Sequence, residues 1–260
     1  KQQRPLQKII IIFISIISIS LLWLHSLDIN LYENINLHTV LLPKPIEIKN
    51  AFFELPLTKL TLETILITLL ASGIAIGTPP LSLLLWPNNI AREILTYLWL
   101  FLRLIPVPLL VLLLLLFSTP SISIAALALG VNNIGVMGRF LKENINKNDD
   151  FFVALKDVGA STQISWLYGK LTPTSKIYLA FAAYRTDVIL RETVVVGIAG
   201  GIGLGWQLKE SLSSFDWSQV AVITASFAMI TLIGEFISDR AQTYWIKRTT
   251  DDSLQVSTQT

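Results

Sequence analysis

Apolar runs close to the length of a bilayer crossing recur along this chain, and they leave few folds open. They cover about residues 9–24, 60–85, 94–117, 122–138, 176–198 and 220–237. A helix needs about 20 apolar residues to cross the hydrocarbon layer. The expected fold is therefore an all-α, polytopic membrane helix bundle of about six spans. Composition agrees: 15% of the 260 residues are charged and 52% hydrophobic, with mean hydropathy +0.60. A soluble domain would carry about 25% charge. No linker separates two cores, so residues 1–260 are expected to form a single transmembrane domain with its core at about 60–240.

Several function classes fall away. A net charge of +2, with no basic patch carrying interleaved aromatics, gives nucleic acid nothing to bind. The absence of cysteine removes disulfides, thiolate metal sites and thiol nucleophiles. His25 and His38 stand thirteen residues apart with no ligand cluster, so neither a metal nor a cofactor is expected. No zincin, nucleophile-elbow or phosphate-loop signature occurs, so the chain is not expected to be an enzyme.

Lys1, Arg4 and Lys8 precede the first run in the manner of a signal peptide. Trp23, His25 and Leu27 occupy the place where small residues would mark cleavage, so 9–27 is read as an uncleaved first span. Residues 28–58 read as a polar loop. The second span holds Gly73-x-x-x-Gly77, a spacing that serves either close approach of another helix or internal packing, and then Pro79-Pro80. A short turn at 86–93 leads into the third span, which contains Arg103, Pro106 and Pro108. Either Arg103 snorkels, or residues 90–102 lie along the surface and the span starts at Arg103. After a tight turn at 118–121 comes an Ala- and Gly-rich fourth span, 122–138. Beyond the fifth span, Gly200-Gly201-Ile202-Gly203-Leu204-Gly205 succeeds a membrane helix instead of a strand. It reads as a hinge or close-packed re-entrant turn and not as a nucleotide cradle, with a polar surface segment running on to Ser218. Near the end of the sixth span, Glu235, Asp239 and Arg240 read as an interfacial salt-bridge cluster.

Cytoplasmic connections are enriched in Lys and Arg. With the N-terminus inside, the inner segments hold Lys1, Arg4, Lys8, Arg92, Arg139, Lys142, Lys147, Lys156, Lys170, Lys176, Arg240, Lys247 and Arg248. The outer ones hold only Lys44, Lys49 and Lys209. Both termini are expected in the cytoplasm, together with the long polar interval at about 139–175.

That interval is patterned. Apolar residues at 151, 154, 155 and 158 keep helical spacing, Gly159 ends that helix, and 161–171 forms a second that stops near Thr172-Pro173. Two short helices between spans make a protrusion suited to docking a partner. In the fifth span, Arg185, Asp187, Arg191 and Glu192 lie roughly 14 to 24 Å past Lys176 at 1.5 Å per residue. Each would cost at least about 2.5 kcal/mol against lipid, so they must face protein, each other or water. Asp187 and Arg191, four apart, can pair on one face, whereas Arg185 and Arg191 point well apart. The set reads either as a buried ion network or as an arginine-lined path for a small oxyanion, with Arg191 the residue most suited to face a substrate.

The string Ala154-Leu155-x-x-x-Gly159-Ala160-Ser161, followed by Gly169-x-Leu171 and a proline, resembles the cytoplasmic coupling motif of type I ABC importer permeases. Val153 stands where that motif usually has glutamate, and Pro173 comes one place late. Arg103-x-Ile105-Pro106, Tyr184-Arg185-x-Asp187-x-x-x-Arg191, Thr193-Val194-Val195-Val196-Gly197 and Gly200-Gly201-Ile202-Gly203 resemble permeases of phosphonate and phosphite importers. The likeness covers roughly 60–240.

The resemblance implies a permease subunit of an ATP-driven importer in a bacterial plasma membrane. ATP hydrolysis would reside in a separate ATPase subunit, contacted through Val153, Ala154, Leu155, Gly159, Ala160 and Ser161. It also implies a substrate-binding protein on the outer side and a second permease copy, most simply a homodimer in membrane lipid. The expected cargo is phosphonate or phosphite. Rivals are a permease for methionine or another oxyanion, and an ion-coupled secondary transporter.

Overall fold

The computed structural model describes residues 43–86, 89–145, 150–200 and 202–257, with isolated positions 15 and 18. The chain divides into residues 1–44 and 45–260, and every helix named here belongs to the second unit. Apart from those two positions, the expected first span at 9–27 lies outside the described residues. The described elements are all helical: α1 (Pro45–Glu54), α2 (Leu57–Leu85), α3 (Asn89–Leu104), α4 (Val107–Leu115), α5 (Ile122–Ile145), α6 (Asp150–Asp157), α7 (Thr162–Trp166), a π-helical segment (Leu167–Leu171), α8 (Thr172–Gly200), α9 (Gly203–Ser213) and α10 (Trp217–Ser257). Three helices are long and apolar enough to cross a membrane, and five crossings result if each of two bent pairs counts as one.

Small residues set the packing of α2 on α5. Ala71 and Ala75 of α2, and Ala125, Ala126 and Ala128 of α5, are buried in one apolar core. A Cβ on Gly130 would stand 2.8 Å from the Ile74 side chain, so the two helices approach as closely as glycine allows. Pro79 and Pro80 sit inside α2 without ending it. Pro80 has no N–H for the Ile76 carbonyl one turn back, and the Tyr178 hydroxyl of α8 donates to that oxygen at 2.7 Å. Such a substitute donor is what lets a proline persist where water is absent.

The third run is broken: α3 and α4 meet at 91° around Ile105-Pro106. The break falls just past Arg103, and α3 packs antiparallel along α5, with Arg103 against Gly135 and Trp99 against Gly138. The carbonyls left open at the end of α3 are met by Asn132 of α5, whose amide donates to Ile105 at 2.8 Å and to Leu102 at 3.4 Å.

Four other boundaries depart from the sequence reading. Residues 45–54 form α1 instead of a polar loop, because Ala51 and the adjoining Leu55 pack with Leu204, Val222 and Ile223. Residues 90–93 already belong to α3 and are not a turn. The fourth span continues to Ile145, since Leu141 and Ile145 are buried in the core, so the polar interval starts seven residues later than expected. Residues 203–213, within the expected polar surface segment, form the helix α9, buried at Gly203, Leu204, Gly205 and Ser211. Glu63 accepts from the Gly203 amide at 3.2 Å and Thr64 from the Leu204 amide at 3.2 Å, which caps that helix from α2.

The glycines around this turn are required by close contact. A Cβ on Gly205 would collide with the Val194 carbonyl oxygen, and one on Gly197 would lie 2.7 Å from that of Ile202. Gly203 has φ +70, in the left-handed region. The glycine-rich connector is thus a close-packed turn. Gly73 and Gly77, by contrast, have nothing within 4 Å of a built Cβ, so their spacing serves no packing among the described residues.

Candidate functional site

The lobe at 150–171 is organised by Phe152, a residue the helical spacing did not single out. Its ring meets Trp166 edge-on at 5.7 Å between centroids, and the ammonium groups of Lys156 and Lys170 lie 5.5 and 5.2 Å from its centre. Arg92 of α3 sits 5.6 Å over Trp166 and joins the lobe to the bundle. A Cβ on Gly169 would come within 2.8 Å of the Phe152 α-carbon, so the motif's second glycine seats α6 on the π-helical segment.

With Phe152 turned inward, the apolar face at 151, 154 and 158 turns outward. Phe151, Val153, Ala154 and Val158 are exposed, Val158 to 88%, while Leu155 and Ala160 are half-buried. Gly159 takes φ +86, its amide donates to the Lys156 carbonyl at 2.9 Å, and the Ala160 amide donates to that of Leu155 at 3.1 Å. This is a Schellman ending, in which glycine occupies the left-handed position at no steric cost. Ser161 then opens α7, its hydroxyl accepting from the Ile164 amide at 3.4 Å. The six expected coupling residues therefore lie on one exposed helix–turn–helix elbow.

The second helix does not stop at Pro173. α7 runs through the π-helical segment straight into α8, where the Thr172 amide and hydroxyl both donate to the Leu167 carbonyl. Widening the turn separates the proline ring from the carbonyls it would strike in an α-helix, so the break becomes a bulge.

The four charges of α8 separate into two networks. Towards α5, Arg185 donates to Glu192 at 3.0 Å and to the side-chain oxygen of Asn133. Asn133, fully buried, donates to Glu192 at 3.1 Å and to the Leu129 carbonyl at 2.8 Å. Towards α10, Arg191 lies 2.8 Å from Asp187 and 3.2 Å from Glu235. The Asp187–Arg191 pairing and the divergence of the two arginines obey helical geometry. Glu235 belongs to this network and not to an interfacial cluster with Asp239 and Arg240; Arg240 lies over the Phe236 ring at 4.6 Å. Arg191 is 52% exposed, on a stripe of α8 with Ile177, Tyr184, Val195 and Ile198. Asp187 is 8% exposed.

The sequence reading missed Asn133 and gave Glu235 other partners. A signal existed for the first: Asn132-Asn133 is a pair of amides inside an Ala- and Gly-rich span, and polar residues there need partners. Among the described residues no group of acidic or imidazole side chains could hold a metal.

One solved chain, from a crystal structure of an amino acid ABC transporter with histidines, superposes with TM-score 0.57 at 15% identity. The match covers 76% of this chain and 96% of that one, so the two chains share a fold. In sequence, the chain is similar to phosphite and phosphonate transport permeases. It is 31% identical over 112 residues to the phosphite transport system permease protein of Stutzerimonas stutzeri, covering 42% of this chain and 41% of that protein. It is 26% identical over 121 residues to a putative cryptic phosphonate transport system permease protein of Escherichia coli, covering 46% of this chain and 99% of that one. A phosphate-import permease protein of Mycolicibacterium smegmatis is 27% identical over 181 residues, covering 66% of this chain and 33% of that one. The chain spans about two fifths of the length of the first curated relatives it matches. No protein-family model matches it.

Proposed function

We propose that this chain is the permease subunit of an ATP-driven importer in a bacterial plasma membrane, carrying phosphonate or phosphite. The observation that carries the reading is the outward apolar elbow formed by Val153, Ala154, Val158 and Gly159, held rigid from behind by Phe152. Apolar side chains kept in water by a built scaffold fit a docking partner, here a separate ATPase subunit. The similarity to phosphite and phosphonate permeases supplies the cargo class. A secondary transporter needs no such elbow.

A second copy of the chain would complete the pathway, with a substrate-binding protein on the outer side and both termini in the cytoplasm. Closure of the ATPase pair would draw two elbows together and turn the pathway outward. Arg191 is the residue we assign to the pathway wall, with Arg185, Asp187 and Glu192 holding the helix that presents it. Both arginines are already held by carboxylates, so an incoming oxyanion meets Arg191 by displacing Glu235.

The test is ATP hydrolysis by the chain reconstituted in lipid with a candidate ATPase subunit and substrate-binding protein from the same organism. Phosphonate, phosphite, phosphate and methionine are compared, with wild type and Val158→Glu. Stimulation by phosphonate or phosphite, lost in the variant at unchanged thermal stability, is expected. Stimulation by methionine alone would keep the fold and overturn the cargo. An ATPase that binds and responds equally in Val158→Glu and Ala154→Glu would sink the docking assignment.

A further inference from the structure

Between α3 and α5 lies a groove of about 360 Å³ that the transport reading does not use. Its walls carry three cations, Arg103 from α3 and Arg139 and Lys142 from α5, with Tyr97 at the rim. Gly135 forms its floor: the α3 backbone approaches so closely that a Cβ there would collide with the Trp99 carbonyl oxygen.

The charges do not balance. Arg139 pairs with Glu143 at 2.8 Å and Lys142 with Glu93 at 3.5 Å, but Arg103 is exposed and has no acidic partner among the described residues. The groove therefore holds one uncompensated guanidinium beside two cations that are each paired with a carboxylate, one of which, Glu143, also lines the groove. Within it α3 exposes Tyr97 and Leu100, an apolar surface that water would not solvate well. A guanidinium beside such a surface needs an anion that brings its own apolar cover.

We propose that the groove is a binding site for the phosphate of an anionic phospholipid. The phosphodiester would take two parallel hydrogen bonds from Arg103 and the field of Arg139 and Lys142, and its acyl chains would lie along Tyr97 and Leu100. A free phosphate or phosphonate shares the charge chemistry but would leave that apolar rim bare. The lipid is therefore the occupant.

The experiment places the full chain in nanodiscs of phosphatidylcholine mixed with phosphatidylglycerol and counts retained lipid by native mass spectrometry. Wild type is expected to retain phosphatidylglycerol with a preference of about fivefold, the size of one basic contact at a membrane surface, and Arg103→Gln to lose it. Arg103→Lys, which keeps the charge, should keep part of it. Equal preference in wild type and Arg103→Gln overturns the site. In discs of phosphatidylcholine alone, inorganic phosphate or methylphosphonate is added. Saturable protection by either against heat, absent in Arg103→Gln, would reassign the groove to a free oxyanion and overturn the lipid. Should Arg103→Gln not fold, a photoactivatable phosphatidylglycerol with wild type decides the matter. Label on 96–104 and 135–143 supports the proposal, and label confined elsewhere overturns it.

Discussion

The Tyr178 hydroxyl donates to the Ile76 carbonyl, 2.7 Å away, and thereby meets the one backbone acceptor that Pro80 leaves open in α2. Two spans are tied by a bond that exists because one of them carries a proline. Tyr178→Phe keeps the ring, which is 5% exposed, and removes only the donor. The buried carbonyl is then unsatisfied, at a cost of about 1–3 kcal/mol. Thermal unfolding in detergent should show the loss. Unchanged stability would mean that another group already satisfies Ile76.

Gly205→Ala tests the close turn. The added methyl would overlap the Val194 carbonyl oxygen, which is backbone and cannot swing away. We expect about 1–3 kcal/mol of destabilisation and a sharp fall in folded yield, the usual cost of overfilling a packed contact. Gly73→Ala has no such neighbour and should leave the stability of the chain within about 1 kcal/mol of wild type, on the stabilising side if helix propensity governs.

The Arg191 network predicts an asymmetry. Glu235 and Arg191 are each more than half exposed, so Glu235→Gln should cost about 0–1 kcal/mol. Arg191→Leu removes the partner of Asp187, whose carboxylate is 8% exposed, and should cost about 3–5 kcal/mol. Asp187→Asn added to Arg191→Leu should recover part of that loss. A double-mutant cycle on unfolding free energies measures it, and equal costs for the two single variants would contradict the network.

Asp216 opens α10, accepting from the Ser218 hydroxyl and, at 3.1 Å, from the Gln219 amide. The Ser218 bond is the largest cause holding its carboxyl below the ordinary value of 3.8; burial opposes, and the Gln219 and Ser218 amides assist. A carboxyl with a lowered folded value contributes stability above its unfolded value and loses it as pH falls through the folded one. Wild type should therefore exceed Asp216→Ala by about 1 kcal/mol at neutral pH. That margin should shrink once the pH passes below 3.8. Melting curves for both proteins across that range check the sign.

Local sequence determined the type of several elements and the geometry within them. The run lengths require membrane helices, and the spacing 187–191 places that pair on one face. Glycine at 159 ends α6 because its φ of +86 suits glycine alone. These arise from contacts within a few residues, where helical period and backbone sterics are legible in the chain itself. Tertiary structure decided the rest. Phe152 and not its neighbours turns inward because Trp166 and Gly169 lie beneath it. Pro173 bends nothing because a π-helical segment precedes it, and the third run breaks at Pro106 because Asn132 satisfies the carbonyls the break exposes. Arg185 and Arg191 take partners from α5 and α10, residues 52 and 44 positions away. Period carries no record of which distant side chain meets a charge, because that depends on how helices cross, and the crossings are set by the glycines and alanines between them.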